Sequence, residues 1–356
     1  MSEPGKGDTS ELVVAWQATQ GRNHLPWQRT RDPYRVWLSE IMLQQTQVAT
    51  VLDYYVRFLD RFPNVSALAA ADQDEVMGLW SGLGYYTRAR NLHRCAQQVV
   101  SEHGGVFPRT AQMLATLPGI GRSTAGAIAA FCFSERVPIL DANVRRVLTR
   151  LLGFHRDLAI AANERLLWSA AESLLPGSDL AEAMPRYTQG LMDLGATVCT
   201  PRAPRCVQCP LSSRCVAFGD GDPEKYPVKT RRLTRRSESW QLLVLQGAGG
   251  KVWLHRRPPS GIWAGLHCLP VFADRAALDN HLAKLGSRAY STSAELPPFL
   301  HVLTHRDLYL HPVMVSGEFV ERPAQEGDWF GPDQWGSLGL PAPVRKILES
   351  TQPQLW

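Results

Sequence analysis

Four of the chain's seven cysteines are crowded into one short stretch, and this stretch constrains the fold most strongly. They follow the pattern C-x6-C-x2-C-x5-C at Cys199, Cys206, Cys209 and Cys215. Four thiolates so close along a chain can surround one metal centre, which favours a metal or cluster site over disulfide bonds. The spacing matches neither the usual zinc pairs nor the ferredoxin runs. The residues alone therefore leave both a zinc ion and an iron-sulfur cluster open.

A glycine-punctuated turn runs directly into an alanine-rich stretch in LPGIGRSTAGAIAAF. Gly119 and Gly121 allow the backbone to turn and to approach another group closely, and the alanines that follow favour a helix. This is a helix-hairpin-helix signature, expected over residues 110–133. The N–H groups that open its second helix, together with Arg122, predict binding to the phosphates of DNA without base reading. The competing interpretation is an ordinary turn between two packed helices.

The character of the chain changes after its last clustered cysteine. Residues 1–218 carry helical apolar spacing almost throughout, residues 219–237 are polar and predict a basic linker, and residues 238–350 predict an α+β domain. The net charge of +5 permits a polyanionic partner without requiring one. No apolar run reaches membrane-spanning length, and the first residues lack the apolar region of a secretory signal. We therefore expect a cytoplasmic protein that has no membrane partner.

Four motifs together resemble one known family. Besides LPGIGRSTAGAI and the cysteine loop, they are DPYRVWLSEIMLQQTQV and LDANV. Together they closely resemble the adenine DNA glycosylases of the MutY type, within the endonuclease III superfamily. The resemblance implies a mainly α glycosylase region, with a helix-hairpin-helix and an iron-sulfur cluster loop, followed by a Nudix-like α+β domain. It also implies a 4Fe-4S cluster on the four cysteines, and leaves Cys95, Cys132 and Cys268 as small core residues.

The family's reaction is the removal of adenine mispaired with 8-oxoguanine or guanine in duplex DNA, by a monofunctional base excision repair enzyme. By resemblance we expect a monomer, associated with the nucleoid if the source is bacterial. Breaking an N-glycosidic bond requires a proton on the departing purine while positive charge builds up on the sugar, and two carboxyl groups suit that division. Glu40, on an apolar helix face, is expected to have a raised pKa and to protonate adenine N7. Asp141 is expected to stay ionised and either stabilise or transiently bond the sugar C1′, with Asn143 orienting groups beside it.

Each of these residues also has a simpler interpretation. Taken alone, a glutamate in an amphipathic helix is most often a solvated charge, and an aspartate before Ala-Asn is most often a helix cap.

The target base must leave the stack, and other groups have to offset the free energy that this extrusion costs. The resemblance places Gln44, Gln45 and Thr46 in the vacated space, Tyr85 as a wedge beside 8-oxoguanine, and Trp27 and Gln189 near the adenine pocket. Buried glutamines and tyrosines are just as often satisfied core groups.

The C-terminal domain departs from the family at one loop. In the family this domain recognises 8-oxoguanine, and its matching loop carries Phe-Ser-His where this chain has Leu303, Thr304 and His305. The departure keeps a hydroxyl and an imidazole that can form hydrogen bonds with the lesion, but it loses the aromatic ring. The alternative is a strand whose alternation simply buries Val302 and Leu308 while His301 and His305 face solvent.

Three other functions compete with this assignment. An endonuclease III type glycosylase-lyase shares the fold and the cluster, but it carries a lysine where this hairpin has Ser123, and a hydroxyl cannot form a Schiff base with the sugar. A Nudix nucleotide hydrolase is indicated by RRPPSGIWAGLHCLP, but no cluster of glutamates for a metal follows it. A protein that only binds DNA needs neither Glu40 nor Asp141.

Overall fold

Helices follow one another through the first part of the chain, and strands begin after them. The computed structural model describes residues 6–230, 234–285, 292–317, 319 and 326–351. The helices are α1 (Lys6–Gln20), α2 (Pro33–Leu43), α3 (Val48–Arg61), α4 (Val65–Ala70), α5 (Gln73–Leu79), α6 (Thr87–His103), α7 (Ala111–Leu114), α8 (Arg122–Phe133), α9 (Ala142–Leu152), α10 (Ala161–Ser173), α11 (Leu180–Thr197), α12 (Val216–Gly219), α13 (Arg275–Leu285) and α14 (Ala342–Ser350). The strands are β1 (Arg236–Gln246), β2 (Val252–Arg256), β3 (His267–Cys268), β4 (Val271–Phe272), β5 (Thr292–Glu295), β6 (Phe299–Val302), β7 (Arg306–Ser316) and β8 (Asp328–Phe330). The predicted fold class is confirmed.

Aspartate caps fix where several helices begin. The side chain of Asp32 accepts hydrogen bonds from the backbone N–H groups of Tyr34 and Arg35, and Pro33 follows it in the first turn of α2. These N–H groups have no partner inside the helix, and proline at the first position loses no hydrogen bond. The start of α2 is thereby set, and with it the face that the helix buries. Within the described ranges, no helix is both long and apolar enough to cross a membrane.

The chain forms two compact units. The helical unit comprises Met1–Ala69 and Arg94–Arg232, and the sheet unit comprises Ala70–His93 and Leu233–Trp356. In the helical unit α1 packs along α11, which also contacts α8 and α9. Their shared core is apolar and almost completely buried, and the removal of this surface from water is the main stabilising contribution.

Strand β1 is at the centre of the sheet unit. It pairs in parallel with β7 over its whole length, and in antiparallel with β2 and β4. The hairpin predicted around the glycine-rich turn is therefore present as β1 and β2. Strands β5 and β6 both pair antiparallel with β7. Four consecutive residues of β1, Leu242 to Leu245, are buried, which is expected of a strand that is covered on both faces.

Residues 70–93 belong to the sheet unit although they precede it in the chain by some distance. Tyr86 Oη and Ser81 Oγ both donate hydrogen bonds to the carbonyl oxygen of Leu340, at 2.7 Å and 3.1 Å. Arg345 in turn donates to Ser81 Oγ at 3.0 Å. The predicted boundary near residue 218 treats each region as one continuous stretch of chain. It therefore did not predict that residues 70–93 join the sheet unit.

Candidate active site

A cavity of about 440 Å³ opens in the helical unit between α1, α2 and α11, and we call it the α2–α11 cavity. Its walls include Trp27, Glu40 and Gln189, three residues predicted from the sequence. Trp27 is buried and packs edge-on against Tyr55, with the ring centroids 5.3 Å apart. The volume is in the range of small-molecule sites, so these three side chains surround a space in which a single base fits.

Glu40 is held near the end of α2, after a run of buried residues, and it is itself partly buried at the cavity wall. Burial raises the pKa of Glu40 from its ordinary 4.5 to about 8, and the negative charge of Asp141 adds to this rise. A carboxyl group with this pKa is mostly protonated at neutral pH and can act as an acid. Glu40 is therefore not the solvated charge that an isolated amphipathic helix would predict.

Asp141 caps α9, because its Oδ1 accepts a hydrogen bond from the N–H of Val144 at 2.7 Å. Burial raises the pKa of Asp141, whereas the N–H groups of Val144 and Asn143 and the positive charge of Arg146 lower it. Burial therefore works against the ionised form that the sequence predicts for this residue, and the donors around it work in favour of that form. The cap also fixes the position of the carboxyl group relative to α9.

Helix α8 holds the extended segment that leads to Asp141. Ser123 Oγ accepts a hydrogen bond from the N–H of Leu140 at 3.1 Å. A Cβ atom on Gly126 would lie only 2.7 Å from the carbonyl oxygen of Pro138, so the helix and the segment approach each other more closely than a side chain allows. The predicted hairpin helix thus positions one of the two candidate catalytic carboxyl groups.

The turn before α8 has the geometry of the predicted helix-hairpin-helix. Gly119 has a φ of +77°, in the left-handed region that favours glycine, and Gly121 begins α8. Both glycines are accessible to solvent, and the first N–H groups of a helix have no partner within it, so this helix start can bind an anion. The guanidinium of Arg122 lies 3.9 Å from the ring centroid of Trp168, so the structure stacks it on an aromatic face.

Three of the four polar residues between α2 and α3, namely Gln44, Gln45 and Thr46, form a tight turn. Gln45 is exposed and has a φ of +58°, which a residue with a side chain rarely adopts. Gln44 Nε2 donates to Thr124 Oγ1 at 3.4 Å, and the N–H of Thr46 donates to the carbonyl oxygen of Leu43 at 3.3 Å. The turn is therefore fastened on both sides of Gln45, and backbone strain of this kind is common at functional sites.

A proline inside α11 connects this helix to the loop before α2. Pro185 has no N–H, so the carbonyl oxygen of Ala181, four residues earlier, receives no helical hydrogen bond from it. That oxygen instead accepts hydrogen bonds from Arg31 Nη2 at 2.9 Å and Ser134 Oγ at 3.3 Å. Arg31 and Pro185 both line the α2–α11 cavity, so this contact stabilises its wall.

The four predicted ligand cysteines are free thiols in the loop that follows α11. Burial raises the pKa of Cys206, Cys209 and Cys215, and the negative charge of Cys199 adds to each rise, so the four sulfurs lie near one another. In the described part of the chain, no three His, Cys, Asp or Glu side chains are close enough to bind a single metal ion.

Two buried arginines of α9 hold this loop. Arg146 donates to the carbonyl oxygen of Cys199 and to Oδ1 of Asn143, both at 2.7 Å. Arg150 donates to Cys199 Sγ at 3.3 Å and to the next carbonyl oxygen at 2.7 Å. The side chain of Asn143 is thus engaged with Arg146, while its backbone N–H lowers the pKa of Asp141. One helix connects the candidate carboxylate to the cysteine loop.

In the sheet unit, Tyr85 and Thr304 meet beside a cavity of about 500 Å³. Their hydroxyl oxygens are 2.8 Å apart. Tyr85 is 45% exposed with a φ of +49°, and Thr304 lies in the turn between β6 and β7 with the exposed His305 beside it. The structure therefore brings together two residues that are more than 200 positions apart in the chain.

The strand before this turn does not follow simple alternation. Val302 is 50% exposed, whereas His301 is partly buried with its ring 5.9 Å from that of Trp263. Burial lowers the pKa of His301. Leu308 is buried and His305 is exposed, as simple alternation predicts, but Val302 and His301 have the opposite of the exposure that it predicts.

Comparison with known proteins identifies the family. Residues 38–171 match the HhH-GPD superfamily of base excision DNA repair proteins, and residues 241–350 match the NUDIX domain. The adenine DNA glycosylase of Buchnera aphidicola subsp. Schizaphis graminum is 35% identical over 96% of this chain and 97% of its own length. The adenine DNA glycosylase of Homo sapiens is 37% identical over 96% of this chain and 73% of its own length. This chain belongs to the adenine DNA glycosylase family.

Solved structures agree with this assignment of the glycosylase. A thermostable thymine-DNA glycosylase is similar with a TM-score of 0.53 and 28% identity, over 60% of this chain and 97% of that one. A non-covalent endonuclease III–DNA complex has the same fold, with a TM-score of 0.50 and 21% identity, over 62% of this chain and 99% of that one. The protein is a DNA N-glycosylase, as the motifs predict.

Among the residues of the glycosylase cavity that sequence reasoning missed, Gln28 has the most unusual environment. Gln28 lines it, and both polar atoms of its amide are buried without a hydrogen-bond partner among the described residues. Such a group costs about 1 to 3 kcal/mol and is retained where a ligand completes it. Gln28 directly follows Trp27, and this adjacency was the only available signal.

Proposed function

We propose that this glycosylase removes adenine paired with 8-oxoguanine or guanine in duplex DNA, by acid-assisted cleavage of the N-glycosidic bond. The observation that carries the proposal is Glu40, a carboxyl group with a pKa of about 8 at the wall of a base-sized cavity. Protonated at neutral pH, it donates its proton to adenine N7 as the bond between C1′ and N9 breaks and its electron pair leaves with the base.

The second carboxyl group acts on the sugar. Positive charge develops at C1′ as the base departs, and the carboxylate of Asp141 stabilises it. Water then adds to C1′ and loses a proton, which leaves an abasic sugar. The hydrogen bonds of Asp141 to α9 and of Ser123 to Leu140 support this role, because they restrict where the carboxylate can move. Asn143 assists through its backbone N–H and through Arg146.

We propose that the reaction stops at the abasic strand. A lyase requires an amine that forms a Schiff base with the opened sugar. At the corresponding position this chain has Ser123, whose hydroxyl is engaged by the N–H of Leu140. A Nudix hydrolase activity is not supported either, since no cluster of glutamates for a metal follows RRPPSGIWAGLHCLP in the sequence.

DNA binding is proposed for two exposed features of the helical unit. The helix start at Gly119 and Gly121 offers backbone N–H groups to a phosphate, and Arg122 adds positive charge there. The turn of Gln44, Gln45 and Thr46 enters the space that the extruded base leaves. The strained and exposed backbone of Gln45 supports this, because such a conformation persists only where the surroundings impose it.

The opposite base is proposed to be read by the sheet unit. Tyr85 is exposed in a left-handed conformation, as a wedge requires, and its hydroxyl is held by Thr304. Thr304 and His305 then supply hydrogen bonds to 8-oxoguanine. The half-buried Leu303 supplies no aromatic ring, so stacking by this position is absent.

The four cysteines are proposed to hold a 4Fe-4S cluster. Their free thiols, their mutual proximity and the resemblance of the cysteine loop to that of the family support this proposal. When bound, the cluster ties the loop between Cys199 and Cys215 into one rigid body. Arg146 and Arg150 already connect Cys199 to α9, so the loop supports the helix that carries Asp141.

We further propose that the enzyme acts as a monomer where genomic DNA lies, in the cytoplasm or nucleoid.

The opposite-base assignment can be tested by single-turnover excision on three duplexes, with adenine opposite 8-oxoguanine, guanine or thymine. We expect cleavage of the first two and none of the third. Changing Thr304→Ala should slow excision opposite 8-oxoguanine about 10-fold more than excision opposite guanine, the loss of about one hydrogen bond. Thr304→Ser, which keeps the hydroxyl, is the matched control and should restore the difference. Equal losses on both duplexes would show that Thr304 contributes stability alone.

A further inference from the structure

We propose that Asp193 is a positioning residue that fixes which end of the Gln189 amide faces the α2–α11 cavity, and thereby selects a base with an exocyclic amine. This inference rests on the proposed function and concerns how adenine is told from other purines. Asp193 does not line the cavity, and the proposed excision chemistry does not use it.

The geometry begins with two residues one turn apart on α11. Gln189 Nε2 donates to Asp193 Oδ1 at 2.9 Å, and Gln189 lines the cavity. Asp193 is completely buried, and its carboxylate also accepts from Arg22 Nε at 2.6 Å and from the backbone N–H of Arg22 at 2.9 Å. A buried carboxylate that is paired with a guanidinium in this way stays in one place.

The chemistry of the carboxylate decides the orientation of the amide. A carboxylate only accepts hydrogen bonds, so the group of Gln189 that faces Asp193 has to be the NH₂ and not the carbonyl oxygen. The two ends of this amide are therefore not interchangeable. Among the described residues no donor engages Gln189 Oε1, and the oxygen remains available as an acceptor for a base in the cavity.

A fixed acceptor has only one suitable partner on adenine. The edges of the ring carry acceptors at N1, N3 and N7, and the exocyclic amine is the only strong donor group. Hypoxanthine carries a carbonyl oxygen at the same ring position, which would set acceptor against acceptor. Sites with a fixed polar group reject analogues that leave it unpaired, so the Asp193–Gln189 pair favours adenine.

A competing explanation is that Asp193 only joins the segment around Arg22 to α11. The two explanations differ in what they predict for a base without the amine. If Asp193 acts through Gln189, its loss affects adenine and spares purine, which has hydrogen in place of the amine. If Asp193 is merely structural, both bases are released more slowly by the same factor.

The experiment measures single-turnover excision by the full-length protein from duplexes with adenine or purine at the same position, opposite the same base. We expect Asp193→Ala to lower the ratio of the adenine rate to the purine rate about 10-fold, the loss of about one hydrogen bond. Gln189→Leu should lower the ratio equally, and the double variant should lower it no further. Arg22→Lys is the matched control. It removes the Nε bond but keeps a charge beside Asp193, and it should leave the ratio unchanged.

Three outcomes overturn the proposal: an unchanged ratio in Gln189→Leu, additive effects in the double variant, or an equal fall of the ratio in Arg22→Lys. If Asp193→Ala does not fold, Asp193→Leu replaces it, because leucine has nearly the same shape and accepts no hydrogen bond, and a ratio that this variant leaves unchanged would count equally against the role of Asp193. Wild-type protein that does not release adenine would contradict the proposed function. Wild-type protein that releases adenine while every variant keeps the ratio would contradict this inference alone.

Discussion

The raised pKa of Glu40 should increase the rate of excision at neutral pH and decrease the stability of the folded enzyme at the same pH. The carboxyl group has a pKa of about 8 in place of 4.5, mainly because it is buried. At pH 7 about 90% of it is then protonated, whereas an ordinary glutamate would be protonated in fewer than about 1% of molecules. We expect the single-turnover rate of adenine excision to be level up to about pH 7 and to fall about tenfold per pH unit well above pH 8.

The same shift affects folding. Because the pKa is raised in the folded state, ionisation favours the unfolded chain, so the stability associated with Glu40 is complete below about pH 4.5 and is lost as the pH rises to about 8. A difference of about 3.5 in pKa corresponds to about 5 kcal/mol above pH 8, and to about 3 kcal/mol at pH 7, as upper limits. Glu40→Gln cannot ionise, so it should be more stable than the wild type at neutral and alkaline pH.

The assay is a denaturant titration of both proteins from pH 4 to pH 9, beside excision rates over the same range. Asp141→Asn in each background is the matched control. Removing this negative charge takes away the second cause of the raised pKa, so the stability difference should approach its plateau at a lower pH. A difference between wild type and Glu40→Gln that is independent of pH would refute the assignment. So would an excision rate that stays level beyond pH 9.

Three further predictions concern other parts of the molecule. The purified protein should contain iron and acid-labile sulfide in roughly equal, about four-atom amounts, and a colourless protein with stoichiometric zinc would contradict the cluster assignment. Borohydride should trap the wild type on an abasic strand far less than it traps a lyase measured in parallel, since Ser123 offers no amine, and trapping at the lyase's level would contradict monofunctional chemistry. Gln45→Gly should raise the free energy of unfolding by up to about 1 kcal/mol, because glycine relieves the φ of +58°, while it slows excision. Gln45→Ala should slow excision without this gain, and equal stability of the two variants would show that the backbone there is not strained.

Features that reside in a short stretch of chain were predictable. The start of α8, the run of four cysteines and the place of Glu40 on an apolar helix each depend on a few adjacent residues. Asp141 caps α9, as the local pattern predicts, and its charge also raises the pKa of Glu40, while its catalytic role stays a prediction. The local pattern predicted the cap, and the matched motif predicted its function.

Features that depend on distant pairs were not predictable in the same way. Arg22 and Asp193 are 171 positions apart, and no local pattern marks an aspartate on a helix as the anchor of a glutamine. The association of residues 70–93 with the sheet unit similarly depends on contacts such as that of Ser81 with Leu340, across 259 positions. Val302 is half exposed although alternation along β6 predicts that it is buried, because alternation does not tell which face of a strand is covered.

The most direct test of the central claim identifies the product and the acid together. Duplex DNA with a single adenine opposite 8-oxoguanine is incubated with wild type or Glu40→Gln, and free bases and strand integrity are measured by chromatography and mass spectrometry. We expect the wild type to release free adenine and leave an intact abasic strand, and Glu40→Gln to bind the duplex without releasing adenine. Release of adenine by Glu40→Gln at a near-normal rate, or release of another base by the wild type, would contradict the account.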